Sequence, residues 1–227
     1  GYRALYAPEV AEARINSIAS WNEWHTTPSL RATGRTKQCT PVVVYAHIPN
    51  FLSDPTNIRE AKLRGLINHA ARIPQGEFQR LVDAEDKQTV WVVDHKKLRK
   101  STSGEVSLKD ALNHPQTIPF LGGQARAEQY LAAHAKAYGT KAIGVWHFDD
   151  LDEDSPLGRL LYLGNNAYDG FDGINLDDGG RFAGVRNASA ENAQKTIATP
   201  SLEQILKISQ RFFPEVGRKE FEAELKK

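Results

Sequence analysis

The sequence predicts an α/β fold: a mostly parallel or mixed central sheet of about five strands flanked by helices, with an N-terminal helical appendage and C-terminal helices. Three observations predict it. The β-branched runs 42–46, 89–93 and 141–146 are apolar on both faces, as strands covered on two sides are. Stretches of helical periodicity separate them, as in strand–helix–strand units. The chain has 227 residues, 40% of them hydrophobic, which suits one globular domain able to bury roughly 70% of its unfolded surface.

Taken in order, residues 8–24 read as a helix, with Pro8 in its first turn and Val10, Ile15, Ile18 and Trp21 at near-helical spacing. Residues 26–40 are polar and include Pro28 and Gly34, so they read as a loop or linker. The first strand run, 42–46, follows. Asp54-Pro55 supplies cap and turn chemistry for a helix over 58–71, and Pro74 precedes a second helix over 75–84. After the strand run 89–93, Ser107 caps a short helix that ends at Pro115. Gly122-Gly123 opens an Ala-rich helix to Tyr138, with Gly139 as its stop. The run 141–146 is a third strand, and 159–163 and 181–185 read as two more, antiparallel across an acidic loop. Residues 201–212 and 217–225 finish the chain as helices. The division expected is a helix and linker over 1–40 and a single α/β domain over 41–227.

Composition excludes several classes. A single cysteine, Cys39, rules out an internal disulfide framework and a cysteine-based zinc site. No apolar run approaches the ~18 residues of a membrane-spanning helix. With 29 Lys and Arg against 28 Asp and Glu, nothing global points to nucleic acid or a membrane as partner. The start lacks both a Met and a signal peptide, which reads as a trimmed N-terminus, by a signal peptidase or by the choice of expressed segment. One Cys and no Met lean toward an oxidising compartment, hence an exported, soluble protein.

Charge is unevenly spread. Residues 1–148 carry +6 and residues 179–227 carry +3, but residues 149–178 hold nine acidic side chains and one basic, Arg159. Carboxylates so dense must splay into water or be neutralised by a metal ion or by Lys and Arg.

Each main strand run stops at a histidine: His47, His95 and His147, with Asp94, Asp149 and Asp150 beside them. In a parallel sheet these would meet at one rim, where open α/β sheets place their ligands. Imidazoles and carboxylates together suit general acid–base chemistry or a divalent metal with an open position for activated water. The expectation is therefore a hydrolase, possibly metal-dependent, acting through His47, His147, Asp149, Asp94 and His95, with His47, His147 and Asp149 able to hold Zn²⁺. The alternative is a non-catalytic binding protein with an acidic Asn/Asp/Gly loop stiffened by Ca²⁺ through Asp169, Asp172 and Asp177. A third reading comes from Asp94-His95-Lys96, which fits the (D/E)-x-K tripeptide of a nuclease class, with Asp54 or Asp83 as the upstream ligand and Lys96, Lys97, Arg99 and Lys100 as a phosphate patch. No organic cofactor is implied, and the substrate is open.

Overall fold

The computed structural model describes residues 2–168, 170–178 and 184–186. Contacts divide the chain into Tyr2–Val185 and a second unit of Gly1 with Arg186–Lys227, nearly all of which lies outside the described residues. The helices expected over 201–212 and 217–225 fall there.

In chain order the elements are β1 (Tyr2–Ala4), α1 (Ala7–Ile15), β2 (His25–Arg35), β3 (Pro41–Ala46), α2 (Pro55–Arg64), β4 (Ala71–Arg72), α3 (Gln75–Asp83), β5 (Val90–Asp94) and α4 (His95–Arg99). There follow β6 (Gly104–Ser107), α5 (Leu108–Asn113), α6 (Thr117–Leu121), α7 (Gln124–Tyr138), β7 (Ala142–Val145), β8 (Leu157–Leu163), β9 (Phe171–Gly173) and β10 (Gly184–Arg186). The main sheet runs β5-β3-β2-β8-β9-β7-β6, with β4 also pairing β8, while β1 pairs with β10. No helix among the described residues is long and apolar enough to cross a membrane.

The parallel α/β expectation is corrected. Within the main sheet the pairs β2–β3, β2–β8, β3–β5, β4–β8, β6–β7 and β8–β9 are all antiparallel, and β7–β9 is the parallel exception. The reason lies in what an apolar strand reports. Runs such as Val42–Ala46 do bury both faces: Val43 and Tyr45 join the core with α1, α6 and α7, while Val42, Val44 and Ala46 join the core with Phe78 and Leu81 of α3. Two-sided burial says that layers cover the sheet, not which way its strands run.

The largest sequence error is β2. What reads as a linker is an eleven-residue strand at the middle of the sheet, between β3 and β8. Several of its polar residues are held in the interior by bonds to distant elements: Thr27 Oγ1 donates to Leu161 O at 2.9 Å, and Ser29 Oγ accepts from Ala7 N at 2.8 Å. The pairing with β8 shifts register between Thr26 and Leu30, and Pro28 sits in that irregularity, where a missing N–H does no harm. Residues 1–40 are thus not an appendage, since their strand is central.

Local signals fare better. Ser107 Oγ accepts from Asp110 N at 3.1 Å, as a cap should, and α7 ends at Gly139 with φ +64°. β8 pairs with β2, β4 and β9; of residues 181–185, expected as its antiparallel partner, 181–183 lie outside the described residues.

Gly144 of β7 marks a close approach. A Cβ there would stand 1.7 Å from Tyr168 O, a backbone atom that no rotamer change can move. Gly144→Ala is therefore expected to push Tyr168 off β7 and to lower stability by about 3 kcal/mol, the upper end for overpacking. Urea melts check this; a midpoint equal to that of the parent would mean Tyr168 does not dock there.

Candidate functional site

The polar centre of the molecule is built on two arginines that face each other across the sheet. Arg31 of β2 and Arg159 of β8 are register partners, and both are buried. Two cations side by side in a core would repel, and Asp150 lies between them, 3% exposed. Its Oδ2 accepts from Arg31 Nη1 at 2.9 Å and from Arg159 Nε at 2.8 Å; its Oδ1 accepts from Arg159 Nη2 at 3.0 Å and from Asn68 Nδ2 at 3.4 Å. Further guanidinium donors reach loop oxygens, while Arg31 Nε has no hydrogen-bond partner among the described residues. Arg31 Nη2 binds Phe148 O at 2.5 Å, Arg159 Nη1 binds Asn175 Oδ1 at 3.0 Å, and Arg159 Nη2 also reaches Asn68 O. The Phe148 ring covers the Arg159 guanidinium at 3.8 Å. Burial opposes the charge on Arg31, and Tyr45, Asp150 and Asp172 together outweigh it, so its pKa is raised.

Three loops thus meet on one clamp: residues 67–70, 146–150 and 174–178. Their outer side chains remain outside. Trp146 is 41% and Tyr168 61% exposed, and the Trp146 indole donates to Tyr168 O at 3.3 Å. Glu153, Asp154, Asp177 and Asp178 are exposed as well, and Asp152 is half-buried.

The histidine rim does not form as expected. Because β3 and β5 are antiparallel, with Ala46 opposite Val90 and Val42 opposite Asp94, His47 and His95 fall at opposite ends of that pair. His47 is a tie within the core: Nδ1 lies 2.9 Å from Ser29 Oγ and Nε2 2.8 Å from Pro119 O. Burial holds its pKa down to about 4, so both ring nitrogens serve hydrogen bonds in the neutral form. His95, His147 and Asp149 do come together, lining a cleft of about 220 Å³ with Leu98, Arg99 and Phe148. There Asp149 Oδ1 pairs with His95 Nε2 at 3.0 Å and Oδ2 with Arg99 Nε at 3.2 Å.

That cleft is not wired for hydrolysis. The serine hydroxyl beside the His147 ring, that of Ser101, donates to Leu98 O at 2.5 Å while standing 3.4 Å from His147 Nε2. Asp149 orients His95 rather than His147, so no nucleophile, base and orienting carboxylate stand in line. His147 is also held below the usual imidazole pKa by burial and by Arg31. Asp94 serves as the N-cap of α4, its Oδ1 accepting from Lys96 N at 2.7 Å.

The metal expectations divide. Among the described residues no group of three His, Cys, Asp or Glu side chains could hold an ion, so Zn²⁺ has no site at the histidines. In the acidic loop, Asp177 bonds His69 Nδ1 at 2.8 Å, and Asp172, barely exposed, has Oδ1 on Gly173 N at 2.5 Å. Asp169 lies outside the described residues.

Sequence reading missed the clamp: Arg31, Arg159, Asn68 and Asn175 carried no expected role. One signal was present, since Arg159 is the sole base within the acidic stretch 149–178 and lies in an otherwise apolar strand.

No protein-family model matches the chain, and no curated protein does. A solved structure does match, described as the accommodation of massive sequence variation in Nanoarchaeota by the C-type lectin fold. It has a TM-score of 0.71 and 48% identity over 80% of this chain and 85% of that one. The hydrolase expectation is overturned by this likeness together with the unaligned cleft, and the binding-protein alternative is the one it supports. The C-type lectin fold commonly binds Ca²⁺, which is consistent with the calcium option at the level of the fold.

Proposed function

Because the chain belongs to the family of that C-type lectin fold protein, we propose that it is a non-catalytic binding protein whose recognition surface is carried by residues 146–178. The observation that carries this reading is the contrast at Asp150: the loop backbone is pinned by buried guanidinium bonds, while Trp146 and Tyr168 beside it face solvent. Binding residues sit on loops held by a rigid scaffold for this reason, since order built into the backbone is not lost again on association. A loop positioned by its buried groups also leaves its outward side chains free to differ. That matches what the relative's fold is said to accommodate, and we extend the property to this chain.

Calcium would enter this reading as a stiffener of the Asn/Asp/Gly loop, held by Asp169, Asp172 and Asp177. Among the described residues neither Asp172 nor Asp177 belongs to a group of three ligating side chains, so they do not fit an ion as placed and no step here passes through one.

The test is a screen of the purified chain against protein and glycan arrays, followed by Trp146→Ala/Tyr168→Ala. The double variant is expected to lose the selected partner at least tenfold in affinity while its melting temperature stays within about 1 °C, because exposed side chains contribute little to folding. A partner bound equally well by the variant would place recognition elsewhere.

A further inference from the structure

We infer that Arg31 and Arg159 do in this chain what a divalent ion does in an acidic loop, so that the recognition loops keep their shape independently of Ca²⁺. The inference rests on the binding-protein reading for the role of those loops, but not for the chemistry. An ionised carboxylate offers about four lone-pair positions, and Asp150 has four donors on them, from Arg31, Arg159 twice and Asn68. No position is left for a metal.

The next ring of oxygens makes the same point. Calcium takes carboxylates, backbone carbonyls and amide side-chain oxygens. Here one carboxylate (Asp150), two backbone carbonyls (Phe148 and Asn68) and one amide oxygen (Asn175) converge from three loops, and guanidinium N–H groups occupy their centre. The charges also balance, since Asp150 and Asp172 oppose Arg31 and Arg159, so a further two positive charges would meet repulsion. Asp177 and Asp149 are likewise engaged from within the chain, Asp177 by a hydrogen bond to His69 and Asp149 by His95 and the Arg99 guanidinium. The planar fork of arginine suits this work, because it binds several oxygens in fixed directions and stays charged when buried. A cation attached through the backbone does not dissociate, so loop order carries no term in free metal concentration.

The experiment follows the full chain by melting and by amide hydrogen exchange in excess chelator and in millimolar Ca²⁺. For the parent, Tm is expected to agree within about 1 °C between the two conditions, and exchange in 67–70, 146–150 and 173–178 to be the same in both. A rise of several degrees with Ca²⁺, or faster exchange in those loops with chelator, would overturn the inference. Arg159→Met is expected to speed exchange in all three segments at least tenfold while residues 42–46 keep their protection; unchanged loop exchange would also overturn it. Should Arg159→Met not fold, the parent comparison still decides. Failure to find any array partner bears on the function proposed above and leaves these readouts as they are.

Discussion

Asp150→Ala is expected to be the most destabilising of the changes considered, lowering stability by about 3–5 kcal/mol and Tm by roughly 10 °C or more. The argument is one of stranded charge. Arg31 and Arg159 are 2% and 0% exposed, face each other in register, and share Asp150 as their bonded carboxylate. Removing it leaves two buried guanidiniums without their bonded carboxylate, with Asp172 as the remaining opposing charge on Arg31, and the pair must bear the uncompensated charge or drag its strands outward. Asp150→Asn tests the charge separately from the shape: an amide keeps acceptor capacity on one oxygen and is expected to recover part of the loss but not most of it. Thermal and urea melts of both variants check this. A fall of less than about 1 kcal/mol for Asp150→Ala would mean that solvent already reaches the pair, and the clamp would lose its structural meaning.

Acidification is expected to destabilise the fold steeply between pH 6.5 and 4. His47, His114 and His134 are buried, and burial holds each pKa down to about 4; beside burial, His147 acts on His114 and Arg14 on His134. In the unfolded chain each titrates near its ordinary value of 6.5, so below that pH the unfolded state takes up protons that the folded state refuses. Stability is unaffected above pH 6.5, falls as pH drops through the window, and levels once the folded groups protonate near 4. At His47, whose ring nitrogens are fully engaged, the loss is on the order of 3 kcal/mol by the bottom of the window. Urea midpoints from pH 7.5 to 4.5 measure the slope. His47→Gln, which keeps a group able to bond Pro119 O, is expected to flatten it by about one proton. Equal midpoints at pH 7 and 5 would show that these rings are open to water.

The same burial that produces the acid sensitivity explains why histidine was misread in the sequence. A ring at a strand end looks identical whether it faces a rim or closes a core. His47 closes one, linking α1 through Ser29 to α6 through Pro119. His95 and His147 share a cleft, but the carboxylate in it already serves an ion pair with Arg99.

What the sequence determined by itself was local. Caps at Asp54 and Ser107 and the stop at Gly139 are read from a few adjacent residues, because the bonds they make span only a few positions, whereas the cap at Asp94 was read as a site carboxylate. It also set the alternatives for the acidic stretch 149–178: carboxylates splayed into water or neutralised by cations. Strand direction, the place of β2 and the identity of those cations were decided by tertiary structure. An apolar run buries both faces equally well in either direction, and a strand of Thr, Ser and Arg looks like a linker until distant partners satisfy its polar groups. Arg31 meets Asp150 from 119 positions away, a separation over which pattern and propensity carry no information.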